Sequence, residues 1–312
     1  MKRLLSDSLT PVRGIVTIEA RDASGRLVDR QQFRNTYTNL AATEHAKALA
    51  GEAATFTLSH IGLGLGGATI DDAESVTGWT QTVPTLDSTT FRQGTASLQA
   101  VAASTATIYY DLFDALVDYD ASRATAIELW LRLLLRGRFD LDEPAALCIF
   151  APDDSNFFFV SLADIETANG IAFQDGIWKL SRIPVASFNA FGTPDWAHVT
   201  GYRVRVAANG PDVGDATLNW DGVRTIEPID TTATASQVPN EPSRKALTSL
   251  TRAGRVLTAD AFWTMNEAVD QYYCAGLYAG SVLVSILPFS YLKQAGLTLH
   301  LTWQLTVNGG SA

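Results

Sequence analysis

Apolar and polar residues alternate along most of this chain with a period of two, the pattern of strands that bury one face. The purest case is 297–307. Leu297, Leu299, Leu301, Trp303, Leu305 and Val307 interleave with Thr298, His300, Thr302, Gln304 and Thr306. One face should pack on a core while the other meets water or a neighbouring subunit. Residues 127–136 behave likewise, with Ile127, Leu129, Leu131, Leu133 and Leu135 on one side and Glu128, Trp130, Arg132, Leu134 and Arg136 on the other. Tyr202, Val204 and Val206 alternate with Arg203 and Arg205. Further strand-type runs fall at 97–101, 106–110, 146–150, 156–161 and 217–223, divided by turn signals at 153–156, 168–170 and 208–211. Helix signals nearly vanish from about 73 to 230. This texture predicts an antiparallel sandwich of jelly-roll type.

The flanks read differently. Residues 15–21 form a strand, Asp22-Ala23-Ser24-Gly25 a turn, and a second strand restarts at Arg26. Asn39 is the expected N-cap of a short Ala-rich helix ending at Gly51. Phe56, Leu58 and His60 return to strand period. Residues 230–242 are polar, with Thr, Ala, Ser and Pro, and read as a linker. No repeat of 20–50 residues is present.

The length of 312 residues suggests about two domains. With 46% hydrophobic and 18% charged residues, the chain is neither disordered, coiled coil nor collagen-like. The net charge is −10, and no basic cluster exceeds Arg132, Arg136 and Arg138, which argues against nucleic acid and anionic membrane as partners. Nothing approaches a membrane span, and the N-terminus lacks the apolar core of a signal peptide. A soluble chain is expected. Cys148 and Cys274 sit in apolar runs and read as buried hydrophobes, not as a disulfide or zinc site.

Motifs for chemistry are sparse. GxSxG and HExxH are absent, and His45, His60, His198 and His300 are isolated. Gly62, Gly64 and Gly67 match GxGxxG, but Ala68-Thr69-Ile70-Asp71-Asp72 follows instead of a phosphate-facing helix, so a close-packed turn is the better reading. Asp118 to Ser122 starts like a calcium loop, but Arg123 replaces the required Gly, which excludes an EF-hand. Asp111, Asp114, Asp118 and Asp120 cluster, as do Asp140, Asp142 and Glu143, and Glu128 shares a face with Trp130. Glycosidases need two carboxylates at a set separation, but charge on a solvated face is the default here. Aromatics stand out more: Trp79, Trp130, Trp178, Trp196, Trp220, Tyr109, Tyr110 and Tyr202 all fall in the central region. Most should be core. Trp130, Trp178 and Tyr110 are the candidates for exposed sugar platforms.

Glu74 to Trp79, Phe91 to Leu98 and Ala216 to Arg224 resemble the entry, second strand and last strand of carbohydrate-binding-module and concanavalin-like jelly rolls. Gly192 to Thr200, before Tyr-Arg-Val-Arg, fits the same pattern. The resemblance implies one structural Ca²⁺ held by Glu74 and Asp221, with backbone oxygens near Gly94.

The flanks resemble a tailed-phage tail or tail-fibre domain. The first half is the hairpin, the helix opened by Asn39, and His60-Ile61-Gly62-Leu63-Gly64. The second is Pro242 to Leu247, Phe262, Asn266-Glu267-Ala268, Ala275 to Tyr278, Lys293 and Thr302-Trp303-Gln304. This resemblance implies a mainly β fold with a discontinuous β-rich base (1–72 and 232–312, one short helix) carrying an inserted antiparallel jelly-roll sandwich (73–231). Insertion at an exposed loop with nearby ends is tolerated.

The expected function is a non-enzymatic structural protein of a phage virion. Its partners would be other virion proteins, copies of itself in a closed oligomer such as a trimer, and bacterial surface polysaccharide. Two alternatives stand: a purely structural or decorating sandwich, or a polysaccharide-degrading enzyme in which Glu128→Gln abolishes turnover.

Overall fold

The computed structural model describes residues 12–39, 41–43, 57–80, 82–113, 118–211, 214–230 and 235–307. The chain forms two compact units, 1–66 with 229–312, and 67–228. The fold is mainly β, as expected, and its sheets are antiparallel.

The discontinuous unit holds β1 (Val12–Arg21), β2 (Leu27–Tyr37) and β3 (His60–Gly64). After the sandwich come β15 (Ser243–Ala246), β16 (Ser249–Ala253), β17 (Val256–Trp263), β18 (Asp270–Ala279), β19 (Val282–Lys293) and β20 (Thr298–Val307). They make one nine-stranded sheet, ordered β15-β3-β18-β19-β2-β1-β20-β17-β16. Trp263 Nε1 donates to Ser243 Oγ at 2.9 Å, a bond between β17 and β15 from near opposite ends of that order, so the sheet curls upon itself. The inner face buries Val16, Ile18, Leu299, Leu301, Trp303 and Leu305. The alternation in β20 thus points its Leu and Trp residues inward.

Two local expectations need correction. The cap of the first helix is Thr38, whose Oγ1 accepts from Ala41 N–H and donates to Leu283 O, not Asn39. Residues 39 and 41–43 are helical; Phe56, His45 and the rest of that expected helix lie outside the described residues. The 235–241 stretch is no free linker. Ala235 and Val238 are buried against Cys274, Tyr278, Leu283 and Ile286, covering the second face of β18 and β19. The glycines of β3 answer to this cover: a Cβ on Gly62 would lie 2.4 Å from Glu241, and one on Gly64 would lie 2.6 Å from Cys274 Sγ. No helix follows them, only a further strand, so the GxGxxG match serves close packing.

The second unit holds β4 (Thr69–Asp71), β5 (Thr85–Asp87), β6 (Ser97–Ala102), β7 (Thr107–Phe113), β8 (Ala126–Leu133) and β9 (Leu147–Asp153). It continues with β10 (Asn156–Val160), β11 (Lys179–Pro184), β12 (Asn189–Phe191), β13 (Gly201–Ala207) and β14 (Ala216–Ile226). One sheet is ordered β12-β10-β9-β13-β7; the other is β11-β8-β14-β6-β5, with β4 beside β14. The chain changes sheet at almost every connection after β6, the habit of a jelly roll. Inward residues of both sheets, among them Tyr110, Leu129, Ile149, Tyr202, Val204 and Trp220, form a single core.

This unit begins at 67, six positions ahead of the expected 73, because β4 belongs to it. Asp71 pairs with Val223, and Tyr202 Oη donates to Asp71 Oδ2 at 2.5 Å while accepting from Trp220 Nε1 at 3.0 Å. Burial pushes the Asp71 carboxyl up. A helix, Leu162–Asn169, also occurs where none is expected. Ser161 and Asp164 form a reciprocal capping box at its start, and Gly170 ends it at φ 65°.

Candidate functional site

The outward side of the five-stranded sheet carries the functional candidates. On β7, Ile108, Tyr110 and Leu112 turn to the core, which leaves Tyr109, Asp111 and Phe113 facing out. The same parity turns Arg203 and Arg205 outward on β13, Cys148 and Phe150 on β9, and Phe157 and Phe159 on β10.

Register then arranges these residues in rows across the strands. Phe113 lies opposite Gly201, Gly201 opposite Phe150, Phe150 opposite Phe157, and Phe157 opposite Phe191. This row crosses all five strands, and every position except Gly201 is phenylalanine. Phe113 and Phe150 meet edge to face at 5.9 Å, and Phe157 stacks on Phe191 at 5.0 Å. Phe191 is 55% exposed, on a short edge strand. Gly201 has no room for a side chain, since a Cβ there would lie 2.1 Å from Leu112 O of the adjacent strand.

The neighbouring row is Asp111, Arg203, Cys148, Phe159 and Asn189. Arg203 Nε and Nη2 donate to the two Asp111 oxygens at 2.6 and 2.7 Å, a bidentate pair that raises the guanidinium pKa. Beyond it, Arg205 pairs with Glu143, and the guanidinium carbons of Arg203 and Arg205 lie 5.1 and 4.8 Å from the Tyr109 ring. Burial pushes the Cys148 thiol up to about 12, so it is no nucleophile. At the Phe113 end of the aromatic row is a cleft of about 220 Å³, lined by Thr80, Asp111, Phe113, Phe150, Asp153 and Asp154. Asp153 Oδ1 accepts from Ser155 N–H and Asn156 Nδ2, both at 3.0 Å, which shapes the β9–β10 turn beneath it.

The three expected platforms do not build this face. Tyr110 is 5% exposed and packs with Trp220 inside the sandwich. Trp130 is 4% exposed on the other sheet, with the Arg92 guanidinium 4.8 Å above its ring. Trp178 is half-buried on the segment leading into β11, also of the other sheet. Tyr110 points inward because its parity on β7 matches Ile108 and Leu112, and Trp130 is sealed because a charged side chain and its flanks cover it. Trp79 is core, edge-on to Tyr202 and Trp220, while Trp196 stacks on Phe158 at 4.1 Å. The phenylalanines were missed; the signal was the run Phe157-Phe158-Phe159, in which the outward positions of a strand are as apolar as the inward one.

Glu128 is fully buried between two arginines, accepting from Arg224 Nε at 3.0 Å and Arg182 Nε at 3.3 Å. This placement denies it a substrate and removes it as a catalytic acid. Of the other acids, Asp118 pairs with His198 at 3.1 Å on the surface, raising the His198 pKa, and Asp140 Oδ1 accepts from Asp142 N–H. Asp114 lies outside the described residues.

Glu74 and Asp221 both accept hydrogen bonds from the loop 92–96. Glu74 Oε1 accepts from Thr95 and Ala96 N–H at 2.8 and 3.3 Å, and Oε2 from Thr95 Oγ1 at 2.6 Å. Asp221 Oδ2 accepts from Arg92 and Gln93 N–H at 2.7 and 2.9 Å. Gly94, at φ 53°, is obligatory between them, since a Cβ would lie 1.8 Å from Glu74 Oε1. Among the described residues no group of three His, Cys, Asp or Glu side chains gathers for a metal, and no helix is long and apolar enough to cross a membrane.

No family model matches the chain, and no curated protein matches it. Among solved structures, the family 11 carbohydrate-binding module of a cellulosomal cellulase of Clostridium thermocellum is similar at 15% identity over 53% of this chain and 97% of that one, with a TM-score of 0.35. A β-1,2-glucanase from Parabacteroides distasonis matches at 13% identity over 69% of this chain and 29% of its own, TM-score 0.38. The tripod from the baseplate of bacteriophage Tuc2009 matches at 11% identity over 77% and 99%, TM-score 0.22. TM-scores this low assign neither family nor ligand.

Proposed function

We propose that this chain is a non-enzymatic structural component of a tailed-phage virion whose sandwich unit binds host-surface polysaccharide on the outward side of its five-stranded sheet. The exposed Phe191, stacked on the half-buried Phe157, and Phe113 beside the cleft carry the binding reading; Phe150 between them is buried. Pyranose rings have apolar C–H faces and polar rims. They suit a surface where aromatic rings lie beside fixed charged hydrogen-bonding groups, here Asp111 and Arg203. The virion reading rests on the flanking sequences and on the discontinuous unit they build. Its outward positions on β20 are Thr298, His300, Thr302, Gln304 and Thr306, with Phe262 exposed on the neighbouring strand. A mixed face of this kind suits packing against other virion proteins or copies of this chain, including a closed trimer.

Affinity electrophoresis of the full chain in gels cast with bacterial surface polysaccharides tests the binding reading. Saturable retardation, lost in Phe157→Ala, supports it; a folded chain that no polysaccharide retards points to the scaffold or decorating role. Light scattering at defined concentration tests the oligomer. Structural Ca²⁺ at Glu74 and Asp221 belongs to the same proposal: the melting temperature should rise with Ca²⁺ and fall with chelator, and identical curves would remove the ion.

A further inference from the structure

We infer that copies of this chain associate through the outward face of β1, β20 and β17 in the discontinuous unit, while their sandwich units stay apart. The inference rests on the virion-component reading and names the partner of that face.

Charge separates the two units. Residues 67–228 carry 22 acidic and 10 basic side chains, whereas 1–66 with 229–312 carry 11 and 13. The net charge of −10 thus divides into −12 on the sandwich and +2 on the discontinuous unit. A large net charge of one sign keeps copies of a body apart, so the sandwich resists contact with another sandwich. It does expose Leu134, Ile171 and Ile177, yet these belong to the unit that repels its own copy. The discontinuous unit carries no such penalty.

Its outward face is balanced within itself. Register places Thr17, Thr302 and Asp260 in one row, and Glu19, His300 and Phe262 in the next outward row. Glu19 is shared by two arginines: Arg21 Nη2 donates to it at 2.9 Å, and Arg30 Nε lies 3.5 Å away. Asp260 accepts from Ser249 Oγ at 2.6 Å and Thr302 Oγ1 at 2.7 Å, with His300 Nε2 3.2 Å away. Carboxylates answered inside their own face leave little charge to repel a copy, and threonine hydroxyls pair with donors and acceptors alike. A partner of strong single-sign charge finds no answering excess here, whereas a copy presents the same balanced surface. Apolar contact comes from Phe262 and Ile15, both exposed. Phe262 also lines a cleft of about 380 Å³ with Arg21, Thr248, Thr298 and His300, open to a side chain of the copy.

Analytical ultracentrifugation of the full chain over a concentration series, in about 50 mM and about 500 mM salt, tests this. The wild-type chain should associate, and several-fold more tightly at high salt, because salt screens the sandwiches from one another. Phe262→Glu and Ile15→Glu should each weaken association by about tenfold or more with the melting temperature unchanged. Ile177→Glu, on the sandwich, should leave association at the wild-type level. A chain that stays monomeric throughout, that dissociates at high salt, or that responds to Ile177→Glu and not to Phe262→Glu overturns the inference. A monomer leaves other virion proteins as the occupants of this face, and glycan binding stands or falls separately by gel retardation.

Discussion

The two outward sheet faces of the sandwich unit are built from similar residue types and put them to opposite uses. On the six-stranded side, Glu128 is clamped by Arg224 and Arg182, Arg132 reaches Asn219, Asn219 reaches Asp87, and Trp130 lies under Arg92. Charge and aromatic surface are consumed internally. On the five-stranded side, the Asp111–Arg203 and Glu143–Arg205 pairs hold polar groups in place, Phe150 is buried among its neighbours, Phe113 and Phe157 are half-buried, and Phe191 is exposed. A tryptophan next to an arginine is therefore not a binding signal in itself. Arginines lie over rings on both faces, Arg92 over Trp130 and Arg203 over Phe150; what separates the faces is the exposed Phe191 on its edge strand.

Substitutions should break or sharpen that contrast. The largest effect is expected at Glu128. Removing it as Glu128→Ala leaves Arg224 charged in the interior and should cost about 3–5 kcal/mol in urea unfolding. An unchanged unfolding midpoint would break the contrast outright. Trp130→Ala should cost a comparable ~3–5 kcal/mol by cavity formation while glycan affinity of the folded protein stays at the wild-type level. Loss of affinity without loss of stability would return Trp130 to the binding site. Phe191→Ala is the mirror image, a stability change within about 0.5 kcal/mol, as for exposed positions generally, beside a measurable drop in polysaccharide retardation.

The smallest effect concerns acid. Burial raises the Asp87 carboxyl, but hydrogen bonds from Thr89 Oγ1 and from the Thr89 and Thr90 N–H groups outweigh it and leave the pKa lowered. A folded-state pKa below the unfolded one means stability that is present above the ordinary Asp value and lost as pH falls through the folded value. Asp87→Asn should flatten the acid limb of the melting curve slightly. Phe191→Ala should leave that limb alone.

Much of this architecture was written in periodicity. Strands β8, β13 and β20 have one apolar and one polar set, and the structure turns them as their alternation demands. The functional row was not so written. Phe113, Phe150, Phe157 and Phe191 meet only through the pairing of strands distant in sequence, and each looks like an ordinary core residue by itself. Composition also misled, because large tryptophans drew notice although the sandwich needs them inside. The helix at Leu162–Asn169 was legible in the capping residues Ser161 and Asp164 and in Gly170 as its stop. Glu74 and Asp221 were found by resemblance, and their common loop is visible only once β6 and β14 are paired.

The way the sandwich enters the discontinuous unit has a consequence for how the chain folds. β3 and β15 are neighbours in the nine-stranded sheet, Gly62 facing Arg244, yet the whole sandwich separates them in sequence. While the sandwich is unfolded, that pairing must close a loop of roughly 160 residues, an entropic cost of about 4–5 kcal/mol beyond the fixed term. Once folded, the sandwich holds its own two ends together, Thr69 opposite Arg224, and the loop is effectively short. Folding of the inserted unit therefore lowers the entropic cost of attaching β15 to β3, which ties the closure of the discontinuous sheet to the integrity of the sandwich.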